Sequence, residues 1–168
     1  MALCAAAALA PHAGELVVLS SDAALRELGL PLLPDAAAGA GPLGGLVAAL
    51  QHASTRGHAG ALLLACDLPL VDEGLLAVLI AAWRGEDAVI PESGGRPQPL
   101  CALWSVAALP AASAALRSED RSMSRLAGSL TSRLVAESEW RAGTRARDPL
   151  LNVNGAADLA RARALLGE

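Results

Sequence analysis

Gly60-Ala61-Leu62-Leu63-Leu64-Ala65-Cys66-Asp67-Leu68-Pro69-Leu70 opens on a continuous apolar run, meets an acidic residue at its end, and turns at a proline two positions later. The run from Gly60 to Cys66 is too short for a helix and lacks the alternation of a half-exposed strand. It predicts a strand buried on both faces of a parallel sheet, the best candidate for the central strand. A residue directly after such a strand stands at the carboxyl edge of the sheet, where open α/β sheets bind ligands. There the hard oxygens of Asp67 suit a Mg²⁺ ion, and they equally suit a turn or a helix N-cap.

Working upstream, residues 2–10 read as a helix closed by Pro11 and Gly14, and Leu16–Leu19 as a short strand. Asp22 offers an N-cap for a helix over 23–28 that Gly29 closes, Leu30–Leu33 is extended, and Asp35–Pro42 is an Ala/Gly loop leading into a helix over 43–53. Downstream, Asp72 starts a helix to about Trp83, Ala88–Ile90 is a strand, and a tight turn at Ser93–Arg96 returns the chain as a strand over 98–104. Helices over 107–116 (with Pro110 in the first turn) and 122–128, strands over 133–136 and 150–153, and a last helix over 155–166 complete the reading. Strands alternating with helices predict a mostly parallel sheet covered on both faces.

Composition bounds the function classes. At 168 residues and 54% hydrophobic content, with three Trp and neither Phe nor Tyr, the chain suits one domain with an aliphatic core. The net charge is -4 and no basic tract is present, so no nucleic-acid partner is expected. All 13 basic residues are Arg, so any cation these residues place on a phosphate is a guanidinium. Cys4, Cys66 and Cys101, and His12, His52 and His58, show no metal-ligand or disulfide spacing. The apolar opening Met1–Ala10 lacks the positive start of an export signal, and no stretch reaches the ~18 apolar residues of a membrane span. A cytoplasmic location with no membrane partner is expected.

Three further segments are chemically suggestive. Gly39, Gly41, Gly44 and Gly45 surround Pro42, letting backbone approach a ligand before a helix start; a flexible connection would read the same way. Gln98 and Pro99, behind Arg96 and Pro97, present an amide and a guanidinium rigidly, or simply form a hairpin. Asn152 and Asn154, the only asparagines, share one face of an extended segment, or cap the last helix.

In their order and spacing these pieces resemble the molybdenum cofactor guanylyltransferases. Pro34-Asp35 follows the early strand; Gly41-Pro42-Leu43-Gly44-Gly45-Leu46 is similar to a G-P-L-x-G-[ILMV] stretch; Cys66-Asp67-Leu68-Pro69-Leu70 to a C-D-x-P-[FLM] box; Gln98-Pro99-Leu100 to a Q-P-L segment; and Asn152-Val153-Asn154, with Asp158-Leu159 after it, to an N-[VIL]-N element. The resemblance covers most of the chain and implies a Rossmann-like three-layer α/β/α domain over 1–168. It further implies transfer of GMP from GTP to molybdopterin, with Mg²⁺ as cofactor and molybdoenzyme-maturation proteins as a possible contact. Ser21, Asp35, Gly41, Pro42, Leu43 and Gly44 would bind nucleotide, Asp67 would be catalytic and hold the metal at the phosphates, and Gln98, Pro99, Asn152 and Asn154 would face the pterin.

Two departures stand out. The family's first strand and its glycine-rich L-A-G-G-x-S-x-R-M-G-x-D-K loop find no match, so the sheet is expected to carry an open edge near its centre. The asparagine usual after the next strand is Ser21 or Asp22 here. Two other functions fit the same residues: a cytidylyltransferase or other nucleotidyltransferase of this fold, and a non-catalytic protein that holds nucleotide or pterin.

Overall fold

The periodicities predict the layers, and the computed structural model, which describes residues 1–37 and 39–167, shows how they stack. In chain order it contains α1 (Ala2–Leu9), β1 (Val18–Leu19), a 3₁₀ turn (Ala23–Leu28), β2 (Leu32–Leu33), α2 (Gly41–Thr55), β3 (Gly60–Leu64), α3 (Glu73–Ala82) and β4 (Ala88–Ser93). There follow β5 (Arg96–Pro97), β6 (Cys101–Ser105), α4 (Leu109–Arg117), α5 (Met123–Ser129), β7 (Ser132–Val135), α6 (Glu137–Trp140) and α7 (Ala156–Leu166). Ala38, within the expected Asp35–Pro42 loop, lies outside the described residues.

The main sheet runs β3-β6-β4-β7, with β5 hairpinned onto the end of β4. The mostly parallel expectation holds for strand direction: β3, β4 and β7 share one direction and only β6, between β3 and β4, is reversed. By ladder the sheet is mixed, because that one strand makes both of its pairings antiparallel. Side chains alternate across it. Val89, Cys101 and Leu103 pack with Leu75, Leu76 and Leu79 of α3 and Trp140 of α6, while Ala88, Ile90, Ala102 and Trp104 pack with Leu43, Leu46 and Leu50 of α2 and Leu126 of α5. A period-two strand pattern between two helical layers is the α/β/α sandwich. Burial pushes the Cys101 thiol up to about 12, so it is an inert core residue.

Three expectations need correction. The run Gly60–Cys66 was read as buried on both faces, but β3 is half-buried along its length because it is the last strand of its sheet. The strand expected over 98–104 begins only at Cys101 and runs to Ser105 as β6; residues 98–100 form a turn, in which Pro99 has no N–H for a ladder and Cys101 N–H donates to Gln98 O at 3.0 Å. Residues 150–153 form no strand: Leu151 turns back to bond Asp148 O, and only Val153 N–H reaches the sheet edge, at Asp67 O.

β1 and β2 form a separate parallel pair. Glu15, just before β1, contacts His52 Nε2 at 3.2 Å and Arg56 Nε at 3.1 Å near the end of α2, which leads into β3. β1 and β3 therefore start side by side and run the same way. Ala65 N–H bonds Leu100 O and Val106 N–H bonds Ala59 O, so by alternation Gly60, Leu62 and Leu64 aim their backbone groups away from β6. Val18 and Ser20 donate to the β2 side, which leaves Val17 and Leu19 aimed the opposite way. Between these two open edges lies a cavity of about 770 Å³, lined mainly by aliphatic side chains of α1, β1, α2 and β3.

At the start of α3, Asp72 Oδ1 accepts from Leu75 N–H, and Oδ2 accepts from Thr144 Oγ1 (2.9 Å), Arg145 N–H (2.7 Å) and Ala146 N–H (3.3 Å). Burial pushes this carboxyl up, but the four bonds outweigh it and hold the group below its ordinary 3.8. A depressed carboxyl contributes its stability in full above the unfolded-state value and loses it as the pH falls through the folded one. Asp72→Asn places an amide among donors and is expected to cost about 1–3 kcal/mol at pH 7. Melting curves should show the gap between variant and parent closing from pH 7 to pH 3.

Candidate functional site

The carboxyl ends of β1, β2 and β3 place Ser20, Asp35 and Cys66 around one end of the large cavity, with Gly41 and Pro42 closing it from the start of α2. Gly41 requires its residue type, since its φ is +60°. Asp35 is half-buried against α2: a Cβ on Gly45 would stand 3.6 Å from Asp35 Oδ1, and Ala36 N–H donates to Gly44 O. Gly44 is explained by packing, because a Cβ there would stand 2.8 Å from Ala40 Cβ.

Three of the expected nucleotide contacts, Ser21, Leu43 and Gly44, lie outside the cavity lining. Leu43 is fully buried, and its side chain joins the α2 core rather than the cavity. The reason is the helix start: α2 begins at Gly41, two residues earlier than its sequence suggests, which rotates Leu43 inward. Ser21 is exposed and outside the cavity lining; Ser20 lines it, with its Oγ accepting from Asp22 N–H at 3.0 Å.

Asp67 follows β3 at the same edge. It is half-buried, its Oδ1 is fully enclosed, and no hydrogen bond from the described residues reaches that oxygen. Buried carboxylate oxygens without partners are costly, so this one is the site's unsatisfied group. The two remaining candidate segments converge on it. Leu100 O accepts from Ala65 N–H at 2.8 Å, bringing up the Gln98-Pro99 turn, and Val153 N–H donates to Asp67 O at 2.8 Å, bringing up Asn152 and Asn154. Val153 is buried, and both asparagines beside it are exposed, which leaves their amides free to meet a ligand. The Gln98 amide donates to Arg96 O at 3.2 Å, so it also braces the hairpin.

Asp67 thus directly follows Cys66, a lining residue of the cavity, without itself lining it, and its carbonyl is bonded to the segment that carries the two exposed asparagines. Among the described residues no group of three or more His, Cys, Asp or Glu side chains clusters as a metal cage, and no Arg lines the cavity. No helix among them is long and apolar enough to cross a membrane. Asp158, which follows the N-[VIL]-N element, stands in the first turn of α7. In the structure its Oδ2 accepts from both Asn154 N–H (3.0 Å) and Gly155 N–H (3.1 Å). The signal was the acidic residue three positions into a helix that opens on glycine.

Comparison with known proteins bears on this arrangement. The family model for the MobA-like NTP transferase domain matches residues 1–134. The molybdenum cofactor guanylyltransferase of Rhodobacter capsulatus is 34% identical over 159 residues, covering 92% of this chain and 77% of that protein. The probable molybdenum cofactor guanylyltransferase of Pelotomaculum thermopropionicum is 33% identical over 138 residues, covering 82% of this chain; the chain spans 66% of that relative's length. Among solved structures, molybdopterin-guanine dinucleotide biosynthesis protein A from Archaeoglobus fulgidus superposes with a TM-score of 0.75 at 24% identity, over 90% of this chain and 78% of that one. The 2-C-methyl-D-erythritol 4-phosphate cytidylyltransferase of Thermus thermophilus shares the fold at a TM-score of 0.68 and 20% identity, over 98% of this chain and 89% of that one. The layered sheet, the Asp67 edge and these matches lead to one assignment: the chain belongs to the MobA-like NTP transferase domain family.

Proposed function

We propose that the chain is a nucleotidyltransferase that transfers GMP from GTP to molybdopterin and releases pyrophosphate. The observation that carries this reading is the enclosed Asp67 Oδ1, without a hydrogen-bond partner among the described residues, on the turn that directly follows the cavity-lining Cys66. An oxygen of the molybdopterin phosphate attacks the α-phosphorus of GTP; the bond from that phosphorus to the bridging oxygen of the β-phosphate breaks, and pyrophosphate leaves with the electron pair. Asp35, Ser20 and the Gly41-Pro42 backbone would hold the nucleotide at the cavity mouth, Asp67 would stand at its phosphates, and Asn152, Asn154 and Gln98 would orient the pterin.

A Mg²⁺ ion fits the donor set as a one-carboxylate site, since Mg²⁺ is commonly held by one or two carboxylates with substrate phosphates and water filling the rest. When bound, it supplies charge neutralisation between the approaching phosphates. The charge balance requires this. Asp35 and Asp67 face a triphosphate with no Arg in the cavity lining, and like charges a few ångströms apart repel by about 1–4 kcal/mol per pair at surface-like dielectrics. GTP binding is therefore expected to depend on Mg²⁺.

Thermal melting in the presence of GTP, CTP and MgCl₂, followed by pyrophosphate release with molybdopterin, tests the proposal. GTP with Mg²⁺ should raise the melting temperature more than CTP with Mg²⁺, and GTP alone should do little. A larger CTP shift would move the assignment to a cytidylyltransferase, and nucleotide binding without pyrophosphate release would leave a binding protein.

A further inference from the structure

The turn that carries Asp67 is loosely held by its own residues. Leu68 N–H reaches Ala65 O at 3.3 Å and Val71 N–H reaches Leu68 O at 3.4 Å, both long for backbone bonds, whereas Val153 N–H reaches Asp67 O at 2.8 Å. The short bond on the Asp67 peptide itself comes from a segment distant in sequence. That segment, residues 148–155, has no ladder of its own and is strapped to α7 at both ends. Arg161 bonds Asp148 Oδ2 at 2.7 Å at one end, and Asp158 Oδ2 takes the Asn154 and Gly155 amides at the other. Between the ends, Val153 packs with Leu70 and Ala162, tying strap, turn and helix into one small core.

We propose that Asp158 is a positioning residue for Asp67: by holding the 154 and 155 amides it sets the Val153 N–H that fixes the Asp67 peptide, and with it the carboxylate. The inference rests on the reading that Asp67 meets Mg²⁺ and GTP. It adds that the C-terminal helix sets the affinity of that site without touching it. One carboxylate oxygen shared by two amides fixes two consecutive peptide planes, a tighter constraint than one bond gives. Asp158 also fixes the backbone of Asn154, two residues after Asn152.

The test titrates MgCl₂ into the full chain at saturating GTP and reads the concentration that gives half of the thermal shift. Asp158→Ala is expected to raise it about tenfold, and Asp158→Asn, which keeps an acceptor oxygen, less than threefold. Asp158→Ser, whose shorter side chain does not span to the same amides, carries the same expectation as Ala should the Ala variant not fold. Leu126→Ala, a core truncation on the opposite face of the sheet, should lower the melting temperature while leaving the Mg²⁺ midpoint unchanged. An unchanged midpoint in Asp158→Ala and Asp158→Ser beside a normal response of the parent chain overturns this inference alone. A midpoint that moves as far in Leu126→Ala also overturns it, as a general stability effect. Absence of any Mg²⁺-dependent shift in the parent overturns the Asp67 reading and this one together.

Discussion

Replacing Asp67 by Ala or Asn is expected to lower the rate of nucleotidyl transfer by about 10²–10³-fold while raising the melting temperature of the ligand-free chain. The two effects have one cause. Asp67 Oδ1 is enclosed and accepts no hydrogen bond from the described residues, so the folded state carries the cost of a buried polar oxygen without a partner. Removing the charge relieves that cost, by about 1 kcal/mol, or roughly 2–4 °C for a chain of this size. Removing charge stabilisation aimed at a reacting phosphate costs kcat on the scale seen when one electrostatic group is deleted from an active site. The backbone bond from Val153 survives both substitutions, so the turn keeps its shape. Pyrophosphate release under saturating GTP and MgCl₂, set against melting without ligand, reads both quantities. An unchanged rate sinks the catalytic assignment, and a lowered melting temperature shows that Asp67 serves the fold.

Gly74→Ala is expected to be the most destabilising single-methyl change in the first turn of α3. A Cβ at Gly74 would overlap the carbonyl oxygen of Gly143 and stand 3.0 Å from its carbonyl carbon, and both are backbone atoms. Gly143 cannot retreat easily, because its own Cα is packed against Val78 and the adjacent loop is fixed through Thr144, Arg145 and Ala146 to Asp72. Overpacking of this kind costs about 1–3 kcal/mol, and here the upper end is expected because the neighbour is backbone rather than a flexible side chain. The melting temperature should fall by roughly 6–12 °C.

Much of the fold was legible because its signals are local. Asp22 and Asp72 cap as read, each accepting from a backbone amide inside the turn it begins, and Gly29 closes its turn at a φ of 70°. Pro110 sits in the opening of α4, where its missing N–H costs nothing. What was not legible is decided by partners distant in sequence. The run Gly60–Leu64 is apolar enough to be central, yet burial depends on what lies alongside, and no pattern within five residues reports whether a strand pairs on one side or on both. Residues 150–153 look like a strand because Leu151 and Val153 are apolar, but those side chains serve the α7 core. The short helix α6 went unread, since its determinants are a bond from Ala136 N–H to Glu139 and the burial of Trp140, whose indole donates to Glu92 O. Among the candidate residues, Asp35 and Asp67 stand just beyond β2 and β3, as acidic residues after apolar runs suggest, whereas the asparagine pair follows no strand. Leu43 was misread because helix phase, and not residue type, decides where a side chain at a helix start points.

The open flanks of β1 and β3 have a consequence for how this molecule behaves in solution. Unpaired amides and carbonyls on both sides of one greasy trench offer an incoming extended chain two ladders at once, a stronger invitation than the rim of an ordinary sheet. Association of this kind grows with concentration and temperature, and it competes with refolding whenever neighbouring copies expose their own aliphatic runs. Dilution, cold and early ligand addition are thus the conditions under which the protein should stay dispersed, and clumping is the first symptom to expect when any of them is relaxed.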